Sequence, residues 1–262
     1  MKNYNNDNTA RRYLAHVSQI GTTQFHLRNP YIVAWWSMAF PGFGHLLLSK
    51  YLRGMALFLW EMVINLNAHI NVGIVYSFLG EFDKAKEVLD TRWLMLYLPT
   101  YFFGIWDSYR TTIDMNKVTL LAKRENHRIN SFVISPLEIN YLDRRKPFTA
   151  MVWSFLMPGM GQLYLHRIVT ASFILIWMIV ITYFSHLAEG MNYIFMGELG
   201  QATVVFDKEW LLFLPSIYGF AMYDAYSNAV ENNKLYIWDQ RNYLKSAYQK
   251  YKLEIKRSRL TK

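Results

Sequence analysis

Cysteine is absent from all 262 residues. Disulfides, thiolate metal sites and cysteine nucleophiles are thereby excluded. Catalytic spacings are missing as well: the chain has no Ser-x-x-Lys, no His-Glu-x-x-His, no glycine-rich phosphate loop and no paired Cys/His site. Residues 1–29 contain no apolar stretch of the secretory-signal kind; Asn3, Asn5, Asn6 and Asn8 lead into Arg11 and Arg12. Insertion through internal segments is therefore expected. Acidic residues are in the minority, 19 against 28 Lys and Arg, for a net charge of +9. Charge of either sign is missing from Ile168 to Ala188, a run long enough to cross a bilayer as a helix. A soluble protein with buried core helices is the alternative, but such helices rarely stay uncharged on every face for this long. In a chain of this kind, excess positive charge points to a cytoplasmic face and anionic lipid, and not to nucleic acid.

What the chain has is a repeat. Pro41-Gly42-Phe43-Gly44 recurs as Pro158-Gly159-Met160-Gly161, a shift of 117 positions. The same shift places Trp36-Ser37 on Trp153-Ser154, Trp60 on Trp177, His69 on His186 and Asp90 on Asp207. It also places Asp107 on Asp224 and Asn116-Lys117 on Asn233-Lys234. Self-similarity at a fixed period decides architecture before local propensity does, and here it reads as a tandem duplication.

Each copy offers three apolar segments. The first, Pro30 to Phe40, reaches only about 16 Å as a helix, roughly half the hydrocarbon thickness. It ends in a turn made by Pro41, Gly42 and Gly44, and in the second copy by Pro158, Gly159 and Gly161. The second, Leu52 to Phe78, is long enough to span. The third runs from Trp93 to about Thr112, with Pro99 inside it. Basic blocks lie in the N-terminal arm, after each turn, in the centre and at the C-terminus, whereas the loops 81–92 and 198–209 are net acidic. By the positive-inside rule the basic blocks are cytoplasmic and the acidic loops outside. Arg28 and Lys50 then share a side, so the first segment is expected to be re-entrant, returning at Pro-Gly-x-Gly. Two crossings per copy make the copies parallel; three full crossings, giving inverted halves, would put the basic centre opposite the basic N-terminus.

The expected class is thus an all-α membrane protein of two parallel tandem repeats, each a half-helix plus two transmembrane helices. Its divisions are a basic cytoplasmic N-terminal arm at 1–29, membrane repeats at 30–117 and 147–234, a basic linker at 118–146, and a basic amphipathic helix at 235–262. That last helix carries Leu244, Tyr248, Tyr251 and Ile255 on one face and is expected to lie on the inner leaflet. Polar residues inside a bilayer are costly and mark function or helix pairing. The candidates are Glu61, Asn65 and His69, spaced i, i+4, i+8, with His186 and Glu189 in the second copy. Candidate salt bridges join turn to helix: Lys50 with Asp107, and Arg167 with Asp224. No catalytic, cofactor or metal residues emerge.

Phe40-Pro41-Gly42-Phe43-Gly44-His45, Gly54 and Trp106-Asp107, with Pro158-Gly159-Met160-Gly161, Tyr164-Leu165 and Tyr223-Asp224, give each copy a glycine turn and an aromatic–aspartate ending. In this each copy resembles the two-transmembrane-helix domain family. It departs from that pattern in Leu47-Leu48 and in Gln162 where the first copy has His45. The resemblance implies a multipass membrane protein with no established enzymatic chemistry. The expected role is a non-enzymatic scaffold or accessory subunit of a bacterial-type cytoplasmic membrane. Its partners would be anionic lipid and a further membrane protein, without nucleic acid or cofactor. The alternative is a small transporter or lipid-handling protein working through His69 and His186.

Overall fold

The structure, a computed structural model, describes residues 11–125 and 129–248 and is mostly helical. The first half opens with an antiparallel hairpin, β1 (Ala15–Ser18) and β2 (Gly21–Gln24). It continues through α1 (Pro30–Ala39), α2 (Phe43–Leu47), α3 (Tyr51–Ala68), α4 (Ile70–Phe78), α5 (Phe82–Val88) and α6 (Thr91–Glu125). The second half has the hairpin β3 (Phe132–Ile134) and β4 (Ile139–Tyr141), then α7 (Pro147–Leu156), α8 (Met160–Tyr164), α9 (Ile168–Phe184) and α10 (Leu187–Phe195). It closes with α11 (Leu199–Val205), α12 (Lys208–Leu211) and α13 (Phe213–Tyr248). The first residues of α1, α2, α3, α4 and α5 stand 117 positions before those of α7 to α11.

Three expectations are corrected. The polar arm and the linker each contain a hairpin; the strands are only three or four residues long, and Phe132-Val133-Ile134 is too short a run to declare itself as a strand. The segment Leu52–Phe78 is two helices, since His69 takes the left-handed conformation (φ +56°) and bends α3 from α4 by 64°. His186 (φ +52°) bends α9 from α10 by 63°. Among the described residues no single helix is long and apolar enough to cross a membrane; the two bent pairs reach that length only together. Finally, α13 runs unbroken past residue 234, so no separate C-terminal helix begins there; Tyr251 and Ile255 lie outside the described residues.

The course of α1 can be read against α6. Asn29 caps α1, its side chain accepting from the Tyr31 amide, and Pro30 sits where no amide donor is needed. Just before the cap, the Arg28 amide donates to Asn116 Oδ1 (3.0 Å) and Asn116 Nδ2 donates back to the Arg28 carbonyl (2.8 Å). The Tyr31 ring lies 5.4 Å from Tyr109, and the Tyr101 hydroxyl donates to the Met38 carbonyl at 2.8 Å. The chain therefore descends antiparallel to α6 from Asn116 to Tyr101. It then reverses at Pro41-Gly42 and climbs back until His45 meets Asp107. Residues Arg145 and Asn233 repeat the clamp in the second half, at 2.9 and 2.7 Å.

The reversal is tight. Gly42 has φ +100°, and a Cβ there would run into the Gly54 carbonyl and the Phe58 amide of α3. This contact seats α2 so that Phe43 stacks on Phe220 of α13, ring centroids 4.1 Å apart. Around that stack lie Trp36, Phe40, Phe58 and Met62 from the first half and Ile174, Met178, Phe213 and Ile217 from the second. The largest core is thus the junction between halves.

Gly159 also has positive φ (+103°), but its Cβ would meet the flexible Leu175 side chain first, at 2.7 Å. Both Gly42→Val and Gly159→Val should destabilise by at least about 1–2 kcal/mol from the left-handed backbone alone. Gly42→Val should be the worse, because backbone atoms cannot move aside. Equal thermal shifts for the two variants would contradict this account.

Candidate functional site

Each half places an aspartate of its long helix under its turn. In the first half, Asp107 Oδ2 accepts from Arg53 Nη1 at 2.6 Å and lies 2.9 Å from His45 Nε2, whose side chain is fully buried. The partner expected from the sequence was Lys50, and this is corrected. Lys50 is the residue before α3 and stays exposed, whereas Arg53, one turn inside the helix, reaches back to the aspartate. In the second half the expected pair does form: Arg167 Nη1 donates to Asp224 Oδ2. Gln162 Nε2 donates to the same oxygen at 3.1 Å and to the Ala221 carbonyl at 2.9 Å, and Asn228 Nδ2 donates to Oδ1 at 2.8 Å. Arg167 is buried, and the Tyr51 phenol of the first half lies against it.

The polar stripe divides. Glu61 and Asn65 are buried, and Asn65 Nδ2 donates to Glu61 Oε1 at 3.1 Å. Asn71, across the bend, completes the group: Asn65 Nδ2 donates to its side-chain oxygen at 3.2 Å, and its amide donates to Asn65 Oδ1 at 3.2 Å. Asn71 Nδ2 also donates to the Glu209 carbonyl of α12 at 2.8 Å, tying the bend to the other half. His69 does not join this interior group. Its side chain is 48% exposed on the bend and faces Glu209 Oε1 at 3.1 Å. His186, 52% exposed, faces Glu189 at 3.2 Å. The helical periodicity that placed both histidines inside stops before them, α3 ending at Ala68 and α9 at Phe184.

Tyr51 and His26 carry no signal in the sequence, whereas Arg53 shows there only as one of the basic residues after the turn and Asn71 only as a neighbour of the polar stripe. The Asn116/Asn233 pair is singled out by the 117-residue shift. Both ring nitrogens of His26 are buried and have no hydrogen-bond partner among the described residues. Burial, and then the nearby cations Arg28, Lys234, Arg167 and Lys123, push its pKa down to about 3. Among the described residues, no group of three or more His, Asp or Glu is placed to hold a metal ion. The site can lock a turn to a helix; it presents no nucleophile–base pair. No family model, no curated protein and no solved structure matches the chain.

Two outcomes follow. Asp224→Asn leaves the buried Arg167 uncompensated and should destabilise by about 3–5 kcal/mol, whereas Asp107→Asn faces a half-exposed Arg53 and should lose about 1 kcal/mol or less. Thermal melting of the two variants side by side checks the ranking. For His26 the folded pKa lies below the unfolded value of about 6.5. The unfolded chain therefore takes up more protons on acidification, and stability falls as the pH drops from about 6.5 towards 3. His26→Leu should flatten that fall; an unchanged slope would show that other groups carry it.

Proposed function

We propose that the chain is a multipass membrane protein of two parallel tandem modules, working as a non-enzymatic scaffold or accessory subunit of the cytoplasmic membrane. The observation that carries this reading is the outward face of the long helices. Leu52, Leu59 and Val63 on α3, Met95, Leu98 and Phe102 on α6, and Ile176 and Tyr183 on α9 all point away from the core with large exposed areas. A soluble chain seldom shows so continuous an apolar surface; hydrocarbon makes it favourable.

Dimensions agree with this. The bent pair of α3 and α4, 18 and 9 residues, reaches spanning length together at about 40 Å along the two axes, with the bend at His69 towards its outer end. The short α5 then lies at the outer surface, and α6 returns. The half-helix α1, hung from Asn116 and reversing near Tyr101, is the re-entrant piece. Its turn is shielded by α3 and α13, as buried non-helical backbone must be in lipid. The end of α6 with Lys117, Lys123 and Arg124, the end of α13 with Arg241 and Lys245, and the stretches Arg11–Arg12 and Arg144–Lys146 beside the hairpins carry the basic residues that would meet anionic lipid on the cytoplasmic side.

The buried Glu61–Asn65–Asn71 group favours a structural role over transport. Its members bond to one another and across the junction, and the two histidines a transporter reading relied on stand apart from it.

Topology is the direct test. Single cysteines in this cysteine-free chain at Asp83, whose side chain is fully exposed, and at Val204 should react in intact cells with an impermeant thiol reagent. One at Asn130 should react only after the membrane is opened. Labelling of Asn130 in sealed cells would overturn the parallel two-module arrangement.

A further inference from the structure

The two halves do not face each other symmetrically. The first half offers Trp36, Phe43 and Met62; the second receives them with Trp177, Phe213, Phe220 and Tyr223. Moved by 117 positions, the offering face is Trp153, Met160 and Ile179 of the second half, and all three are exposed. Moved back by 117, the receiving face is Trp60, Leu96, Phe103 and Trp106 of the first half, and all four are exposed. One half's front packs on the other's back, which leaves one front and one back open.

The hairpins repeat the pattern independently. The first hairpin reaches into the second half: the Gln19 carbonyl meets His166 Nε2 at 2.8 Å, and the Ile20 carbonyl accepts from the Ile168 amide at 3.1 Å. Asn140 Nδ2 donates to the Ser18 carbonyl at 2.7 Å, and Gln24 Nε2 donates to Asn232 Oδ1 at 2.7 Å. The receiving positions Asn140, His166, Ile168 and Asn232 correspond to Thr23, Ser49, Tyr51 and Met115. In the first half, Thr23, Ser49 and Met115 line an open cleft of about 740 Å³. The second hairpin, meanwhile, projects Ile134 and Leu137 into the open, Leu137 being 87% exposed.

We infer that the chain associates head to tail with a second copy of itself, the Ser135–Glu138 hairpin tip and the Trp153/Met160 face of one copy seating in the 49–115 cleft and on the Phe103/Trp106 face of the next. Charge agrees, since the tip carries Glu138 and the cleft lining holds Arg11, Arg12 and Lys50 against one carboxylate, Asp114. The tip is not a replica of the first hairpin. Its loop is two residues longer, and Glu138 stands where a Cβ on Gly21 would lie 3.1 Å from the His166 carbonyl. Seating is therefore through side chains and not through the same backbone bonds. A heterologous contact of this kind closes into a ring or runs on as a filament, according to the rotation between units. The inference rests on the tandem-module reading but not on the membrane topology.

Two tagged full-length copies, co-expressed, test it. One carries Met160→Cys and the other Phe103→Cys, positions matching the in-chain Phe43–Phe220 stack. A second experiment pairs Leu137→Cys with Ser49→Cys. A single chain with Ile20→Cys and His166→Cys is the control for the in-chain junction and should bridge with a short bifunctional thiol reagent. The expected result is a cross-copy product for both mixed pairs, with loss of the Met160/Phe103 product when Leu137→Lys is added to the copy that bears Met160→Cys. All of the mixed positions except Ser49 are large exposed side chains, so folding should survive. Bridging of the control without either cross-copy product would overturn the inference. So would product joining Met160 of one copy only to Met160 of another, which is a symmetric contact. Single-copy particles with anionic lipid retained in the cleft would also overturn it and assign the cleft to a headgroup. Failure of the control itself would instead refute the packing of the halves on which the module reading stands.

Discussion

The contact between the backbones of Gly42 and Gly54 is the constraint on which the junction depends. Without side chains at these two places the turn can press onto α3, and only from that position does Phe43 reach Phe220. The stack then gathers the aromatic residues of two halves into one core. Close packing of rings contributes beyond simple area burial, but only at the right separation and angle. A turn held an ångström further out would forfeit much of that. Polar contacts around the turn have the complementary task of removing alternatives. Asp107 and Asp224, each under its own turn, would be expensive to bury unpaired, so the chain is held in the one arrangement that pairs both.

The halves solve the same problem with different residues. Arg53 serves Asp107 from one turn inside α3, whereas Arg167 serves Asp224 from just before α9. His45 and Gln162 occupy matching positions and approach the aspartate in matching ways. The difference in burial is large, because Arg167 is enclosed by the first half while Arg53 faces outward. The two sites differ as their surroundings do: where the junction covers the site, the pair is enclosed and supported by Asn228 and Tyr51. Where the site looks outward, a looser histidine–arginine set suffices.

Much of the architecture was legible in the sequence because the period of 117 carries long-range information that local propensity lacks. The Pro-Gly turn and the Arg167–Asp224 pair came from aligning the chain with itself, and the short α1 from the distance between Pro30 and that turn. The hairpins did not, since the strands are only three or four residues long, although Ser18 and Ser135, Arg28 and Arg145, and Pro30 and Pro147 already extend the period across them. The bends at His69 and His186 were hidden for another reason. A left-handed residue is expected to be glycine or asparagine, and nothing in a histidine announces that conformation. Once the helix ends there, a face drawn across it by periodicity loses its meaning. Arg53 was passed over because Lys50 aligned with Arg167, and alignment does not reveal which of two nearby cations has the reach.

The asparagine clamp fixes a length. Asn116 grips the backbone of Arg28 from both sides, so α1 hangs from a fixed point on α6, and the depth of the turn equals the number of residues between grip and proline. One residue added between Arg28 and Pro41 would lower the turn by about 1.5 Å and rotate it by about 100°. Phe43 would then swing off Phe220, and no neighbouring side chain could restore the fit. In this stretch substitutions are read individually, but chain length is read by the whole junction, which makes the distance from clamp to turn a gauge that both halves keep at the same setting.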